Sequence, residues 1–137
     1  MLMGKTSLFL LCLLAPWVAW ADIPGTDPAM LKKCEARVDQ AMEAYNSKSW
    51  KDFFKDFAKA SAALCTEQSF TTVYVNTAQR DFGNYESRTR EDARCTFNKS
   101  VGLLIYKAKF SKKWASLSVN FLQEGGEWKI QQVRIDP

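Results

Sequence analysis

Leu104-Ile105-Tyr106-Lys107-Ala108-Lys109-Phe110, followed by Ala115-Ser116-Leu117-Ser118-Val119-Asn120-Phe121, is the stretch that decides the fold. Leu104, Tyr106, Ala108 and Phe110 occupy every second position, and Ala115, Leu117, Val119 and Phe121 repeat the pattern. Apolar residues at period two lie on one face of a half-buried strand. Towards the C-terminus, Glu124-Gly125-Gly126-Glu127 reads as a hairpin turn, because its glycines permit positive φ. A last strand then runs from Trp128 to Ile135. Trp128 and Ile130 share one parity and Val133 and Ile135 the other, so a bulge near Gln131-Gln132 is expected to bring all four to the core face and bend the sheet. Towards the N-terminus, alternating Ala93, Cys95 and Phe97 predict one further strand, which makes four.

Upstream of Tyr85 the period is helical. Asp27-Pro28 is a helix start, with Asp27 as N-cap and Pro28 where its missing N–H costs nothing. Leu31, Cys34, Val38, Ala41, Met42 and Tyr45 form the apolar stripe to about Asn46, and Lys32, Lys33, Glu35, Arg37, Asp39 and Glu43 fill the other face. Ser49 and Asp52 resemble a capping box for a second helix striped by Trp50, Phe53, Phe54, Phe57 and Leu64. Thr66 to Phe82 is expected to be a third helix, capped by Thr66 and stopped by Gly83, despite the strand-like Thr71-Thr72-Val73-Tyr74-Val75. Helices followed by meandering strands predict an α+β domain, with N-terminal helices packed on one face of a curved antiparallel four-stranded sheet.

The first 21 residues read as a leader rather than as part of that domain. Lys5 is a positive n-region, Leu8 to Val18 is apolar and broken by Pro16, and Ala19-Trp20-Ala21 offers small residues at the cleavage positions. A secreted or periplasmic domain of residues 22–137, cleaved after Ala21, is expected. The apolar run is too short to cross a bilayer, and no later segment is apolar enough, so no transmembrane segment is expected after cleavage. Without Lys5 the net charge falls one unit below the +4 of the whole sequence, too weak a balance to argue for nucleic acid. Cys12 leaves with the leader, so Cys34, Cys65 and Cys95 make an odd set. An antiparallel hairpin of the first two helices would bring Cys34 and Cys65 together as a disulfide, with Cys95 buried and free.

The sequence contains no histidine, which excludes Ser-His-Asp and Cys-His nucleophiles and imidazole metal sites. Glu91-Asp92 and the pair Asp52 and Asp56 are the clustered acids, and they read better as solvated turns than as ligands. Neither a metal nor a cofactor is expected. Arg88, Arg90, Arg94, Lys99, Lys107, Lys109, Lys112 and Lys113 make the strand half basic, either a solvated sheet face or a patch for an anionic head group, polysaccharide or acidic partner.

Phe82-Gly83-Asn84-Tyr85-Glu86-Ser87-Arg88, the two alternating strands above and Gly126-Glu127-Trp128-Lys129-Ile130-Gln131 resemble exported bacterial members of the nuclear transport factor two-like, or cystatin-like, superfamily. The resemblance covers about Tyr45 to Pro137. It implies a cone of sheet around a long helix, often with a pocket at the wide end and often dimeric through the exposed sheet face. Tyr45, Trp50, Tyr74, Tyr106 and Trp128 are the candidate pocket residues, and the bland alternative makes the tyrosines core residues with satisfied hydroxyls. Leu103, Ile105, Lys107 and Leu122 share the outer sheet face, where an excess of aliphatics suggests a homodimer. The expected function is a non-enzymatic exported domain binding a small ligand or an envelope protein. The alternative is an isomerase- or dehydratase-type enzyme using a carboxylate and tyrosines, although no acid falls on the expected inner strand faces.

Overall fold

The computed structural model describes residues 23–137, so the expected leader and its cleavage site lie outside the described residues. Helix α1 spans Pro28–Ser47; the Met30 N–H donates to the Asp27 carboxylate at 2.9 Å, and Lys48 ends the helix in the left-handed region at φ 58°. Its stripe of Leu31, Cys34, Val38, Ala41, Met42 and Tyr45 is buried.

The long second helix does not form. After one turn, α2 (Trp50–Phe53), the chain crosses to the sheet and forms only a 3-10 helix over Lys59–Leu64. The cause is competition for the backbone. Ala58 N–H donates to Ile130 O at 2.7 Å and Ile130 N–H donates to Asp56 O at 2.9 Å, which makes Phe57 a parallel bridge partner of Ile130. These groups cover an otherwise open sheet edge and are unavailable to a helix. Ser49 donates to Asp52 Oδ2 but caps no N–H.

The third helix, α3, is continuous from Glu67 to Phe82 with its middle, Thr71–Gln79, wound as a π-helix between α-helical ends Glu67–Phe70 and Arg80–Phe82. Thr66 caps it by accepting from Ser69 N–H. The Thr77 hydroxyl returns to Thr72 O at 2.9 Å, the same five-residue span as the π-type backbone bonds.

The helices pack on one face of a curved antiparallel sheet, as the sequence predicts, and the sheet has one strand more than the four expected, the six residues Tyr85–Arg90. The strands are β1 (Tyr85–Arg90), β2 (Thr96–Phe97), β3 (Val101–Phe110), β4 (Trp114–Glu124) and β5 (Glu127–Asp136), in the order β1-β3-β4-β5 with β2 beside β3. The expected strand through Ala93 is broken. Asp92–Arg94 form a 3-10 turn, and the Cys95 thiol faces Ile105, whose N–H reaches Sγ at 3.3 Å in place of a ladder carbonyl. The expected bulge does form: Asn120 pairs with Gln132 and Phe121 with Ile130, leaving Gln131 as the extra residue. Ile130 and Val133 are buried, and Trp128 and Ile135 pack against the same core.

Gly102 is required where it stands, since a Cβ there would lie 2.1 Å from the Phe97 ring. Phe97 in turn lies tilted against Phe121 and meets Trp128 edge-on.

Candidate functional site

The interior of the curved sheet is filled. Tyr45 and Tyr106 are fully buried and Tyr74 nearly so, and each hydroxyl has a partner: Tyr45 donates to Gly83 O at 2.8 Å, Tyr74 to Val133 O at 2.7 Å and Tyr106 to Glu35 Oε1 at 2.8 Å. Trp50 and Trp128 are half-buried against the core. The five residues expected to form one pocket do not line a common one, although Tyr45 and Tyr74 meet edge-on. Tyr74 lines a groove beside β5, Trp128 a hollow with Met30 and Arg37, and Tyr106 a shallow depression with Glu35, Arg88 and Arg90. Edge-on contacts of Tyr45 with Tyr74 and Phe110 show how aromatic packing takes the space a ligand would need.

The depression contains a charged group that the sequence reading placed on the wet side of α1. Glu35 accepts from Arg88 at 2.9 Å, from Arg90 at 2.7 Å and from Tyr106, while Arg88 also reaches Asp39 at 2.6 Å and the Tyr85 hydroxyl at 2.9 Å. The Arg88 guanidinium lies 5.0 Å from the centre of the Tyr106 ring. Burial by itself would push the Glu35 carboxyl up, but hydrogen bonds from Arg88, Tyr106 and Arg90 outweigh it and hold the group below the ordinary carboxylate range. Glu35 is therefore an ionised, paired carboxylate. The available signal was Tyr106 itself, an inward tyrosine whose hydroxyl needs a partner, opposite a glutamate next to core residue Cys34.

An apolar groove runs between α3 and the free side of β5, with a volume of about 440 Å³. Phe54, Phe57, Tyr74, Ala78 and Phe82 form one wall, Gln131 to Asp136 the other, and Leu64 and Val73 stand at its rim 62% and 51% exposed. Ile130 directs its N–H and C=O away from β4, and past the bulge Val133 O does likewise, accepting from Tyr74. Antiparallel alternation turns the N–H and C=O of Ile135 the same way. Among the described residues no segment pairs with β5 on that side beyond the Phe57 bridge.

The cysteines do not form the expected disulfide. Cys34, Cys65 and Cys95 are all free thiols, because the helical hairpin that was to align Cys34 with Cys65 is replaced by the crossing to β5. Cys34 lies in the core under α1, whereas the Cys65 thiol sits at the end of the 3-10 helix and donates to Ser61 O at 3.3 Å. On the outer sheet face, Leu103 and Leu122 are half-buried, Lys107 is exposed and Ile105 is buried, while Val101, opposite Leu122, is exposed. Among the described residues no cluster of potential ligands is suited to a metal ion, and no helix is long and apolar enough to cross a membrane.

No family model and no curated protein matches this chain. Among solved structures it is similar to a de novo designed protein with a curved β-sheet, at 11% identity and a TM-score of 0.45, over 76% of this chain and 99% of that one.

Proposed function

We propose that the chain is an exported, non-enzymatic binding domain whose ligand is an extended apolar segment laid in the groove between α3 and β5. One observation carries this reading: the N–H and C=O of Ile135, which pair with no group among the described residues, border a groove rimmed by exposed Leu64 and Val73. A strand added there would gain main-chain hydrogen bonds from β5 and place alternate side chains on the apolar wall. The volume also lies within the range of small-molecule pockets, so a compact apolar ligand is the competing occupant.

The enzymatic alternative draws less support. The nearest carboxylate and tyrosine, Glu35 and Tyr106, are bonded to each other, and two arginines hold the carboxylate ionised, a poor starting point for a general base near neutral pH. Export rests on the leader read in residues 1–21, and the resemblance to exported cystatin-like domains agrees with it.

The test is titration of residues 22–137 with a ten-residue peptide that alternates valine with serine and lysine, followed by amide NMR. Binding should shift the Ile135 amide and slow its exchange, and Val73→Glu should weaken affinity about tenfold, the effect of one charge placed at an apolar contact. Binding that leaves Ile135 unperturbed would remove the strand-addition reading.

A further inference from the structure

At the far end of the sheet, Trp114 opens β4 and pairs directly with Lys109 across the β3–β4 hairpin, so both side chains lie on the outer face. Trp114 is 53% exposed, the largest apolar side chain on the described surface. Lys107 Nζ lies 5.2 Å from its ring centre, and Lys112 and Lys113 form the turn immediately before it. Two of these lysines also have local roles. Lys112 donates to Arg80 O at 2.6 Å and Lys113 lies over the Phe82 ring, so both complement the negative end of α3. Lys107 and Lys109 have no such role; the latter meets Glu86 only at 3.9 Å.

A tryptophan surrounded by lysines at a hairpin tip combines the two attractions of a membrane interface: an amphipathic ring that settles at head-group depth, and cations that favour anionic lipid. We infer that this tip docks on the surface of an anionic phospholipid bilayer, with Trp114 entering the head-group layer and Lys107 and Lys109 facing phosphates. Charge complementarity selects this occupant. A second copy of a net-positive chain would bring lysines against lysines, and a neutral partner would leave Lys107 and Lys109 unmatched. The site is separate from the groove beside β5, and the two readings stand independently.

The experiment is co-sedimentation of residues 22–137, which contain the whole described core, with phosphatidylglycerol–phosphatidylcholine vesicles at low salt, alongside pure phosphatidylcholine vesicles. The expected result is binding to the anionic vesicles only, with a blue shift of tryptophan emission that disappears in Trp114→Ala. Lys107→Glu combined with Lys109→Glu should lower vesicle affinity by about tenfold or more, since each lysine near such a surface acts through its charge. Circular dichroism of both variants should match the native protein. Equal binding to neutral vesicles, an unchanged shift in Trp114→Ala, or full displacement by millimolar inorganic phosphate would each overturn the proposal. So would binding to a soluble acidic polymer without binding to vesicles.

Discussion

The Tyr106 hydroxyl donates to Glu35 Oε1 at 2.8 Å, tying the middle of β3 to the first half of α1 through the same carboxylate that Arg88 and Arg90 grip from β1. One side chain thus fastens the helix to two strands. Glu35→Gln leaves Arg88 with Asp39 and Arg90 with Asp92 as their remaining carboxylates and should cost about 1 to 3 kcal/mol at neutral pH.

The pH dependence has a fixed sign. The folded-state carboxyl of Glu35 titrates below its ordinary value near 4.5, so its contribution is complete above that value and is lost as the pH falls through the lower folded-state range. Urea unfolding at a series of pH values should show a steep acid loss in the native protein and a shallower one in Glu35→Gln. Parallel acid limbs in the two proteins would contradict the pairing.

Gly102 and Phe97 occupy one volume. Gly102→Ala alone should destabilise by about 2 to 3 kcal/mol, because the new methyl meets a ring held on its other side by Phe121 and Trp128. In Phe97→Ala the same change should cost little. A double-mutant cycle measured by thermal unfolding should therefore give a coupling of about 1 to 2 kcal/mol, and additive costs would show that the contact has been misread.

Burial pushes the Cys34 thiol up to about 12 and also raises Cys65 and Cys95. Only Cys65 is partly exposed. Alkylation of the folded protein at pH 8 should modify Cys65 first, with Cys34 and Cys95 reacting on the timescale of unfolding. Peptide mapping without reduction should find three thiols, and recovery of a Cys34–Cys65 bridge would restore the expectation that the fold displaces.

Val101 and Leu122 face each other on the outer sheet surface, one row from Leu103. If a second copy covers this face, light scattering at micromolar concentration should give twice the mass of residues 22–137, and Leu122→Lys should return the monomer. A native monomer under those conditions would assign these aliphatics to ordinary surface.

The sheet was the most legible part of the sequence, because period-two alternation from Leu104 to Phe121 has one structural solution, and the parity change between Ile130 and Val133 announced the bulge at Gln131. The stripe of α1 was equally plain. What failed to show was competition between elements. The run of Trp50, Phe53, Phe54 and Phe57 has helical spacing, yet its backbone closes a sheet edge more than 70 residues away, a long-range preference that local spacing does not contain. Cys95 failed for a related reason, since its alternation with Phe97 concealed a sulfur substituting for a ladder carbonyl. At the candidate site, aromatic residues were identified correctly as inward but not as tightly interlocked, because the sequence specifies which side chains are apolar and not how much space they leave between them. The groove beside β5 depends on where the Phe57 bridge stops, and so was invisible for the same reason as the bridge.

That bridge also bears on when the molecule can close. Phe57 waits on one side and β4 on the other, and the slot between them is filled by the last strand to be made. Until β5 arrives, β4 has an open flank and the residues around Phe57 have no ladder to join. Closure then joins early and late parts of the chain in one step, a high-separation contact of the kind that makes folding slow. A chain cut short before Glu127 would therefore leave β4 and the residues around Phe57 without the partner they share.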